Sequence, residues 1–362
     1  MLHEIHVQGF KSIRDQTLRF NPLNVIIGAN GAGKSNLVEV FRLLRKVASR
    51  QLQTYTGESG GANAILHFGR KVTEMLALRM EFSSGANANI YGFELRPTTE
   101  DRFIFFEEQT FFHDLAEHPE KPYADQRWSG HAEAEIAESQ RGVASHIRRY
   151  LDSYRIYHFH DTSPTARVKQ TGDLGDNRLF REDAGNLAAF LYRLQQSEAG
   201  HFRNIQETIQ QITPFFDRFV LAPTALNAEK IRLEWREKGS DEYFNASALS
   251  DGTLRFMCLA TLLLQPELPA LILIDEPELG LHPAAIQLLA GLLKSAATRT
   301  QLIVATQSVT LVNQLEPQDV WVVDREDRQS VFRPLKEADT SGWIKEYALG
   351  ELWEKNVLGG RP

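Results

Sequence analysis

The sequence predicts an α/β fold in which helices cover both faces of a largely parallel sheet. Three short apolar runs, at residues 24–27, 270–274 and 302–305, have the length and composition of buried strands. A stretch with helical periodicity follows each of the first two, at 34–48 and 283–296. Strands that alternate with helices are typical of a parallel sheet with two buried faces.

The N-terminal part, residues 1–112, adds antiparallel strands to this sheet. Residues 3–7 and 16–20 alternate apolar and polar side chains, which predicts a β-hairpin before the first buried strand. Three further strand candidates lie at 75–82, 89–95 and 103–109, and the regular spacing of these three indicates an antiparallel meander.

Residues 113–216 differ in composition, and we expect them to form a helical insertion within the domain. Helical patterns occur at 147–154, 186–194 and 202–216. The stretch also contains His158, His160 and Asp161, which are either ligands of a metal site or one half-buried face of a strand. Alternating histidines are more typical of the second alternative, and the sequence assigns no role to this pair.

The C-terminal part, residues 217–362, is expected to complete the domain. It contains a helical pattern at 253–264 and strand patterns at 320–324 and 331–334, which finish the sheet. The tail, residues 343–362, carries two tryptophans and has no chemical role that the sequence indicates.

Composition limits the compartment and the classes of partner. The chain has 362 residues, a formal net charge of -7 and one cysteine, Cys258, within an apolar run. No apolar run is long enough to span a membrane, and the N-terminus has no leader pattern, so we expect a cytoplasmic protein. The overall charge does not indicate a nucleic-acid binder. A local basic group at the end of helix 34–48 suits a helix C-terminus better than a DNA contact: Arg42, Arg45, Lys46 and Arg50.

The segment Gly28-Ala29-Asn30-Gly31-Ala32-Gly33-Lys34-Ser35 matches the phosphate-binding loop pattern G-x-x-x-x-G-K-[ST], between a strand and a helix. Its glycines allow a nest of backbone N–H groups around phosphates at the positive end of the helix. Lys34 is predicted to reach the β- and γ-phosphates of ATP, and Ser35 to bind Mg²⁺. The predicted ATP-binding residues of this segment are Asn30, Gly31, Gly33, Lys34, Ser35 and Asn36.

Two carboxylates follow the apolar strand 271–274. Asp275 is predicted to hold Mg²⁺, directly or through water, and Glu276 to orient and deprotonate the water that attacks the γ-phosphate. Pro277 ends the strand, which keeps Glu276 at the edge of the sheet.

A second anion site is predicted where the segment 247–253 enters a helix. Ser250 and Gly252 lie at the helix N-terminus, where free N–H groups and the helix dipole favour a phosphate. A simple N-cap explains the same residues. One chain would then have two phosphate-binding helix ends, whereas a single ATP needs such ends from opposite sides.

Together, these segments resemble the ABC-type ATPases of the RecF, SMC and overcoming-lysogenization-defect group. The resemblance rests on residues 5–12, the phosphate-binding loop, Leu249 to Thr253, Asp275 to Glu278, and Ala305 to Ser308. Within this broad group, the segments resemble the compact bacterial AAA-type core ATPases that are often found beside genes for phage defence. It implies that Ser250 reaches the γ-phosphate of a second subunit, which gives a homodimer with two composite ATP sites. It also places Gln307 at the switch position beside the γ-phosphate.

The sequence departs from the pattern of this group at several positions. Asp251 and Thr253 stand where ABC transporters usually have Gly and Gln, and His282 replaces the usual Asp of the interface loop. Gln307 replaces a histidine; its amide donates hydrogen bonds but carries no proton to a substrate, which favours slow turnover. The usual Q-loop glutamine is not identifiable, and His67 is its candidate substitute, against a plain packing role.

These features predict an ATPase whose ATP-bound dimer switches a partner effector, encoded nearby, in bacterial antiviral defence. A RecF/SMC-like ATPase that acts directly on DNA is the alternative, and a slowly hydrolysing nucleotide-binding scaffold is the third hypothesis. Glu276 disfavours the scaffold, and the modest charge disfavours direct DNA action.

Overall fold

The structure is a computed structural model that describes residues 1–118, 120–336, 342–343 and 347–360. Its strands are β1 (Leu2–Phe10), β2 (Ile13–Arg19), β3 (Leu23–Gly28), β4 (Leu76–Ser84), β5 (Asn87–Pro97), β6 (Phe103–Asp114), β7 (Tyr123–Trp128), β8 (Tyr154–Tyr157), β9 (Gly172–Asp173), β10 (Phe216–Val220), β11 (Pro223–Thr224), β12 (Asn227–Ile231), β13 (Glu234–Glu237), β14 (Phe244–Asn245), β15 (Leu271–Asp275), β16 (Gln301–Ala305), β17 (Val320–Glu326) and β18 (Gln329–Pro334). Its helices are α1 (Lys34–Ala48), α2 (Leu52–Glu58), α3 (Ala62–Ile65), α4 (Gly142–Asp152), α5 (Leu187–Ser197), α6 (Ala199–Ile212), α7 (Asp251–Leu264), α8 (Pro283–Ala297), α9 (Val309–Val312) and α10 (Leu349–Glu354).

Two six-stranded sheets form the framework. The first is the antiparallel meander in the order β2-β1-β4-β5-β6-β7. The second has the order β18-β17-β3-β16-β15-β8, in which only β18 runs antiparallel to its neighbour. The predicted α/β class, with a mixed sheet and an antiparallel meander, is confirmed.

The second sheet is buried on both faces, and β15 shows how. Leu271 and Leu273 belong to an apolar cluster that also holds α1 and the inner face of the meander. Ile272 and Ile274 belong to the other cluster, with α5 to α8. Because successive side chains of a strand point to opposite faces, an uninterrupted apolar run is what a strand between two layers requires. The carboxyl end of this sheet carries the polar residues of the candidate site.

Residues 113–216 contribute strands as well as helices. This stretch contains α4, α5 and α6, but β7 extends the meander and β8 pairs with β15 at the edge of the second sheet. The four residues of β8 are too few to give a clear periodic pattern, so the sequence showed only the helices around them. The stretch is therefore tied to both sheets, and the division at residues 112 and 216 stays a prediction.

No helix in the described ranges combines the length and the apolar character needed to cross a bilayer. The tail lies partly outside the described residues. In its described part, the indole Nε1 of Trp353 donates to the carbonyl of Gly360, whose own N–H donates to Asp324 Oδ1 at 2.8 Å.

Candidate functional site

The phosphate-binding loop connects the end of β3 to the start of α1. Gly33 is the N-cap residue of α1 and has φ of 120°, and no side chain caps the first turn. The N–H of Asn36 donates to the carbonyl of Gly33 at 3.0 Å, whereas the N–H groups of Lys34 and Ser35 precede the first hydrogen bond of the helix. Gly31 has φ of 77°, a left-handed conformation that favours glycine, and open space surrounds the position of a Cβ there. Asn30 and Ser35 are exposed on the same loop and first turn. This arrangement provides an anion-binding concavity.

Lys34 folds back over the loop that precedes it. Its Nζ donates to the carbonyls of Gly28 at 2.5 Å and Ala29 at 3.1 Å, and the residue is buried. Burial lowers the pKa of Lys34, against the opposite effect of the nearby carboxylates of Glu276 and Asp275. An ammonium group held only by carbonyls has lone-pair partners but no counter-charge in contact, which suits it to an incoming phosphate.

A directed chain of hydrogen bonds supports the loop from behind. Asn36 Nδ2 donates to Ser12 Oγ at 2.5 Å, Ser12 Oγ lies 2.6 Å from Ser330 Oγ, and Ser330 Oγ donates to the carbonyl of Ala32 at 2.5 Å. Ser12 comes from the turn between β1 and β2, and Ser330 from β18. Asn36 therefore lies behind the loop in the structure, and its role toward ATP stays a prediction.

Asp275 and Glu276 lie at the carboxyl end of the second sheet, beside the loop. Register pairs Asp275 with Ala305 of β16, and Ala305 with Ile26 of β3, so one strand separates Asp275 from the loop strand. Burial raises the pKa of Asp275, and the charge of Glu276 raises it further. Such a carboxylate gains from a cation that pairs with it.

Glu276 adopts a strained backbone conformation, with φ of 45°. Its N–H donates to the carbonyl of Ala305 at 2.8 Å, which fixes the residue to the next strand. Its Oε1 accepts a hydrogen bond from Gln307 Nε2 at 2.5 Å. The structure thus brings together the two side chains that the sequence predicts for the attacking water and for the switch.

Glu278 supports the switch segment from beneath. Its Oε1 accepts from Thr306 Oγ1 at 2.6 Å and from the N–H of Gln307 at 3.1 Å. Its Oε2 is buried and has no hydrogen-bond partner among the residues that the structure describes, and burial raises the pKa of this carboxyl. Glu278 is not among the site residues predicted from the sequence, although its position two residues after Glu276 is a signal that could have indicated it.

His158 and His160 lie at this site. His160 donates from Nε2 to the carbonyl of Asp275 at 3.0 Å, and its ring centroid lies 4.0 Å from that of His158. Burial lowers the pKa of His158, with a further decrease from His160. The parallel pairing of β8 with β15 explains the placement, because the carboxyl ends of neighbouring parallel strands meet at one edge. Sequence reasoning missed this contact.

The metal site considered for His158, His160 and Asp161 has no support in the structure. Within the described ranges, no group of three or more His, Cys, Asp or Glu side chains is arranged to hold a metal ion. His67, the candidate substitute for the Q-loop glutamine, is buried and donates from Nδ1 to the carbonyl of Lys11 at 2.6 Å. That bond gives His67 a packing role under the β1–β2 turn. His160, in contrast, contacts the backbone of the predicted Mg²⁺ ligand, because its Nε2 donates to the carbonyl of Asp275.

Arg255 of α7 connects three segments around the site. Its Nε donates to the carbonyl of Phe159 at 2.9 Å, Nη2 to that of His160 at 3.4 Å, and Nη1 to that of Leu279. The residue is 5% exposed. Burial lowers the pKa of Arg255, against a smaller opposite effect of the charge of Asp251. Among the described residues, no carboxylate forms an ion pair with this guanidinium. Helix α7, which begins at the second predicted anion site, is thereby linked to the segment that follows β8 and to the loop that follows β15, the strand of Asp275.

Ser250 forms the N-cap of α7, and its Oγ accepts from the N–H of Thr253 at 3.2 Å. Ser250, Gly252 and Thr253 line a hollow of about 230 Å³ together with His282. Gly252 packs against the carbonyl of Gly280, at a distance that leaves no room for a Cβ. His282 in turn caps α8, accepting at Nδ1 from the N–H of Ala284 at 3.3 Å. No residue of the phosphate-binding loop lines this hollow.

The donor set fits ATP and Mg²⁺. The uncapped N-terminus of α1, the open left-handed Gly31 and the ammonium of Lys34 match a triphosphate, and the hydroxyl of Ser35 with the carboxylate of Asp275 are hard oxygen ligands of the kind Mg²⁺ prefers. Bound Mg²⁺ would neutralise charge that develops on the phosphates.

Comparison with known proteins agrees with this geometry. The family model described as "AAA domain, putative AbiEii toxin, Type IV TA system" matches residues 23–313, a range that contains the loop, the α7 N-terminus, both carboxylates and Gln307. No curated protein matches the chain.

Among solved structures, the chain is similar to an SMC head bound to the C-winged helix domain of ScpA. The TM-score is 0.61 at 16% identity, over 93% of this chain and 98% of that one. A second similar structure is an Smc head with an extended coiled coil, bound to the C-terminal domain of ScpA derived from Pyrococcus furiosus, with a TM-score of 0.58 at 14% identity, over 95% of this chain and 98% of that one. At such identities the likeness establishes the fold alone.

The resemblance to the RecF and SMC group is thus confirmed at the level of fold and family. The matched family range covers most of the chain, and the SMC-head fold supplies the sheet edge at which the candidate site lies. The chain therefore belongs to the family described as "AAA domain, putative AbiEii toxin, Type IV TA system", and it has the fold of SMC heads.

Proposed function

We propose that this protein binds and hydrolyses ATP, closes into a homodimer around it, and uses that closure to switch a partner effector in antiviral defence. The observation that carries the proposal is the meeting of Lys34, Asp275, Glu276 and Gln307 at one edge of the sheet. The family description, with its AbiEii toxin and type IV toxin–antitoxin system, supports the defence setting and a nearby partner. DNA is the alternative partner.

Each residue has a proposed role. Asn30, Gly31, Gly33, Lys34 and Ser35 bind the phosphates, Asn36 supports their loop, and Ser35 with Asp275 holds Mg²⁺. Glu276 takes the proton of the attacking water, since Gln307 already orients one of its oxygens. Gln307 donates its amide hydrogens to Glu276 and the γ-phosphate, and carries no proton itself.

The homodimer is proposed because the two predicted anion sites lie in separate concavities. The hollow with Ser250 and Gly252 contains no residue of the phosphate-binding loop. A two-fold pair brings the Ser250 end of one subunit to the loop of the other and completes two sites at once. The solved SMC heads bound to ScpA domains support the use of this fold as a partner-binding platform.

The hydrolysis test uses two variants at the site. We expect Lys34→Ala to abolish ATP binding, because it removes the ammonium that faces the phosphates. We expect Glu276→Gln to keep binding and to lower turnover by about 10²- to 10⁴-fold, the usual contribution of a general base. Binding of a fluorescent ATP analogue and phosphate release measure the two effects. Unchanged turnover in Glu276→Gln would refute the assignment of the base.

The dimer test places a bulky cation at the N-terminus of α7, in place of Ser250. With ATP, Glu276→Gln protein is expected to run as a dimer in light scattering, and Ser250→Arg in that background as a monomer. Ser295→Arg is the matched control, since Ser295 is an exposed serine on α8 and outside the hollow. If Ser250→Arg alone hydrolyses ATP at the wild-type rate, the composite site is wrong.

A further inference from the structure

Residues 349–360, which we term the C-terminal strap, lie outside both the predicted site and the range 23–313 that the family model matches. They form α10 and the turn that follows it. Trp353 is fully buried, and with Leu349 it belongs to the same apolar cluster as α5 to α8. The strap is therefore a packed part of the fold, and both of its ends contact segments of the nucleotide site.

The first contact lies at the start of the strap, on the short helix that follows the switch residue. Gly350 packs against α9, and its N–H donates to Asn313 Oδ1 at 2.7 Å. A Cβ at Gly350 would lie 2.5 Å from the carbonyl oxygen of Val309, so a side chain there would push the two helices apart. α9 begins directly after its N-cap Ser308, which follows Gln307 in the chain. A shift of α10 is thus transmitted to the switch segment.

The second contact lies at the end of the strap, against Gly28 of the phosphate-binding loop. The N–H of Gly360 donates to Asp324 Oδ1 at 2.8 Å, and its carbonyl accepts from Trp353 Nε1. Gly360 is buried, and a Cβ there would lie 3.3 Å from the Cα of Gly28 and 2.7 Å from Val322 Cγ1. The backbones of the two glycines are therefore in close contact.

Gly28 connects this contact to the phosphate-binding lysine. Its carbonyl accepts a hydrogen bond from Lys34 Nζ at 2.5 Å. Gly28 also pairs with Val323 of β17, whose carbonyl oxygen would lie 3.3 Å from a Cβ on Gly360. β17 and the strap thus hold the residue whose carbonyl binds the ammonium of Lys34. Because the ammonium follows the acceptor that it binds, a shift of Gly28 displaces the group that meets the phosphates.

We propose that the C-terminal strap positions Lys34 and Gln307 relative to each other, and that its docking is coupled to ATP binding. This coupling rests on the proposed ATP site. Trp353 joins the two ends of the strap, because it lies on the same helix as Gly350 and its indole binds the carbonyl of Gly360. ATP that fixes the loop and the switch therefore also fixes the strap, and by thermodynamic reciprocity a docked strap strengthens ATP binding by the same factor. A strap that only stabilises the fold has no such coupling.

The first experiment measures hydrogen exchange of the wild-type protein with and without a non-hydrolysable ATP analogue and Mg²⁺. The amides of Gly350 and Gly360 donate to the side chains of Asn313 and Asp324, so they report the docking of each end. We expect the analogue to slow exchange in the strap by about 5-fold or more, beyond any change in the β4–β5 hairpin, which reports global stability. Repeating the measurement with Ser250→Arg protein removes the protection that dimer closure would add.

The second experiment perturbs the end of the strap at the loop. Gly360 has φ of 57° and Gly85, in the β4–β5 turn, has φ of 63°, so alanine causes similar backbone strain at both. Open space surrounds a Cβ at Gly85, whereas one at Gly360 meets Gly28. We expect Gly360→Ala to raise the Kd of the analogue by about 10-fold, and the control Gly85→Ala to leave it within about twofold of wild type.

The third experiment perturbs the end of the strap at α9. Alanine is a better helix former than glycine, so local propensity alone predicts that Gly350→Ala does not destabilise α10. Its Cβ must nevertheless separate α10 from Val309. We expect turnover at saturating ATP to fall about 10-fold with the Kd of the analogue within about threefold of wild type, because α9 carries the switch and not the loop. Gly291→Ala on α8, where open space surrounds the new Cβ, is the matched control and should keep wild-type turnover.

The outcomes separate this coupling from the proposed function. If the wild type does not bind the analogue, the proposed function is wrong and the coupling falls with it. If the analogue binds but exchange in the strap is unchanged, or slows only as much as in the β4–β5 hairpin, the coupling is wrong and the ATP site stands. Protection that disappears in Ser250→Arg protein would assign it to dimer closure. Equal losses in each glycine variant and its control would assign the strap a purely structural role.

Discussion

The guanidinium of Arg255 holds the segments on both sides of Asp275, and Arg255→Met tests what that contact does. Methionine keeps much of the aliphatic volume and removes every donor. The carbonyls of Phe159 and Leu279 then lose their partner in an interior where Arg255 is 5% exposed. Hydrogen bonds to charged groups contribute about 1.5–3 kcal/mol each. Because the variant no longer buries a cation, the desolvation cost of the guanidinium disappears and offsets part of this loss. We therefore expect a net destabilisation of about 2–4 kcal/mol.

The effect on turnover should exceed the effect on folding. Without Arg255, the backbone that carries His160 and Leu279 can shift relative to Asp275, and displacements of about 1 Å near reacting groups cost on the order of 10²-fold in rate. We therefore expect turnover to fall about 100-fold at saturating ATP, with nucleotide binding nearly unchanged. Urea unfolding and phosphate release measure the two quantities on the same preparation.

Arg299→Met is the control for the loss of arginine-to-backbone hydrogen bonds, because Arg299, although exposed, also donates to backbone carbonyls, those of Leu263 and Gln265 at the far end of α7. It should lower stability and leave turnover within about threefold of wild type. If Arg255→Met retains full turnover, or if both variants lose the same amount, Arg255 stabilises the fold and does not position the site.

Three further predictions concern buried carboxylates and the histidine beside Asp275. Glu108 is fully buried and accepts hydrogen bonds from a tyrosine, a histidine and two backbone N–H groups, so Glu108→Ala should cost about 3–5 kcal/mol in urea unfolding; a cost under about 1 kcal/mol would contradict this. Burial raises the folded-state pKa of Glu278, so the unfolded chain loses this proton first and stability falls as pH rises from the ordinary Glu range to the raised pKa. Glu278→Gln should remove that decrease in stability. If the melting temperatures of variant and wild type change in parallel with pH, this prediction is wrong. His160→Ala frees the carbonyl of Asp275 and should raise the Mg²⁺ concentration for half-maximal turnover by about 10-fold or more, whereas an unchanged Mg²⁺ dependence would exclude a positioning role.

The strands and helices of the nucleotide site could be predicted because their signals are local. Loop glycines, a lysine and a helix follow one another without interruption at residues 28–48, and two carboxylates directly follow a buried strand at 275–276. Gln307 next to Glu276 could be expected only from the resemblance, since 31 residues separate them in the chain and a parallel strand pairing brings them together.

The histidine pair shows where sequence reasoning ended. The segment 154–160 gave a short alternating pattern inside a stretch that otherwise indicated helices, and nothing local shows that a four-residue strand pairs with one more than a hundred residues later. Contacts of this kind follow from sheet order, which the pattern of a single strand does not encode.

The position of β3 in the sheet also has a consequence for synthesis of the protein. Its two neighbours are β16 and β17, formed by residues 301–305 and 320–326, whereas β3 itself ends at Gly28. The loop strand must therefore wait for nearly 300 residues before either edge can pair, which takes on the order of 15–60 s at ribosomal rates of about 5–20 residues per second. During this interval the nascent chain exposes an apolar strand with two open edges and has no formed nucleotide site. ATP binding is thus a property that only the nearly finished chain acquires, and the early chain is the stage at which chaperone binding or aggregation competes with folding.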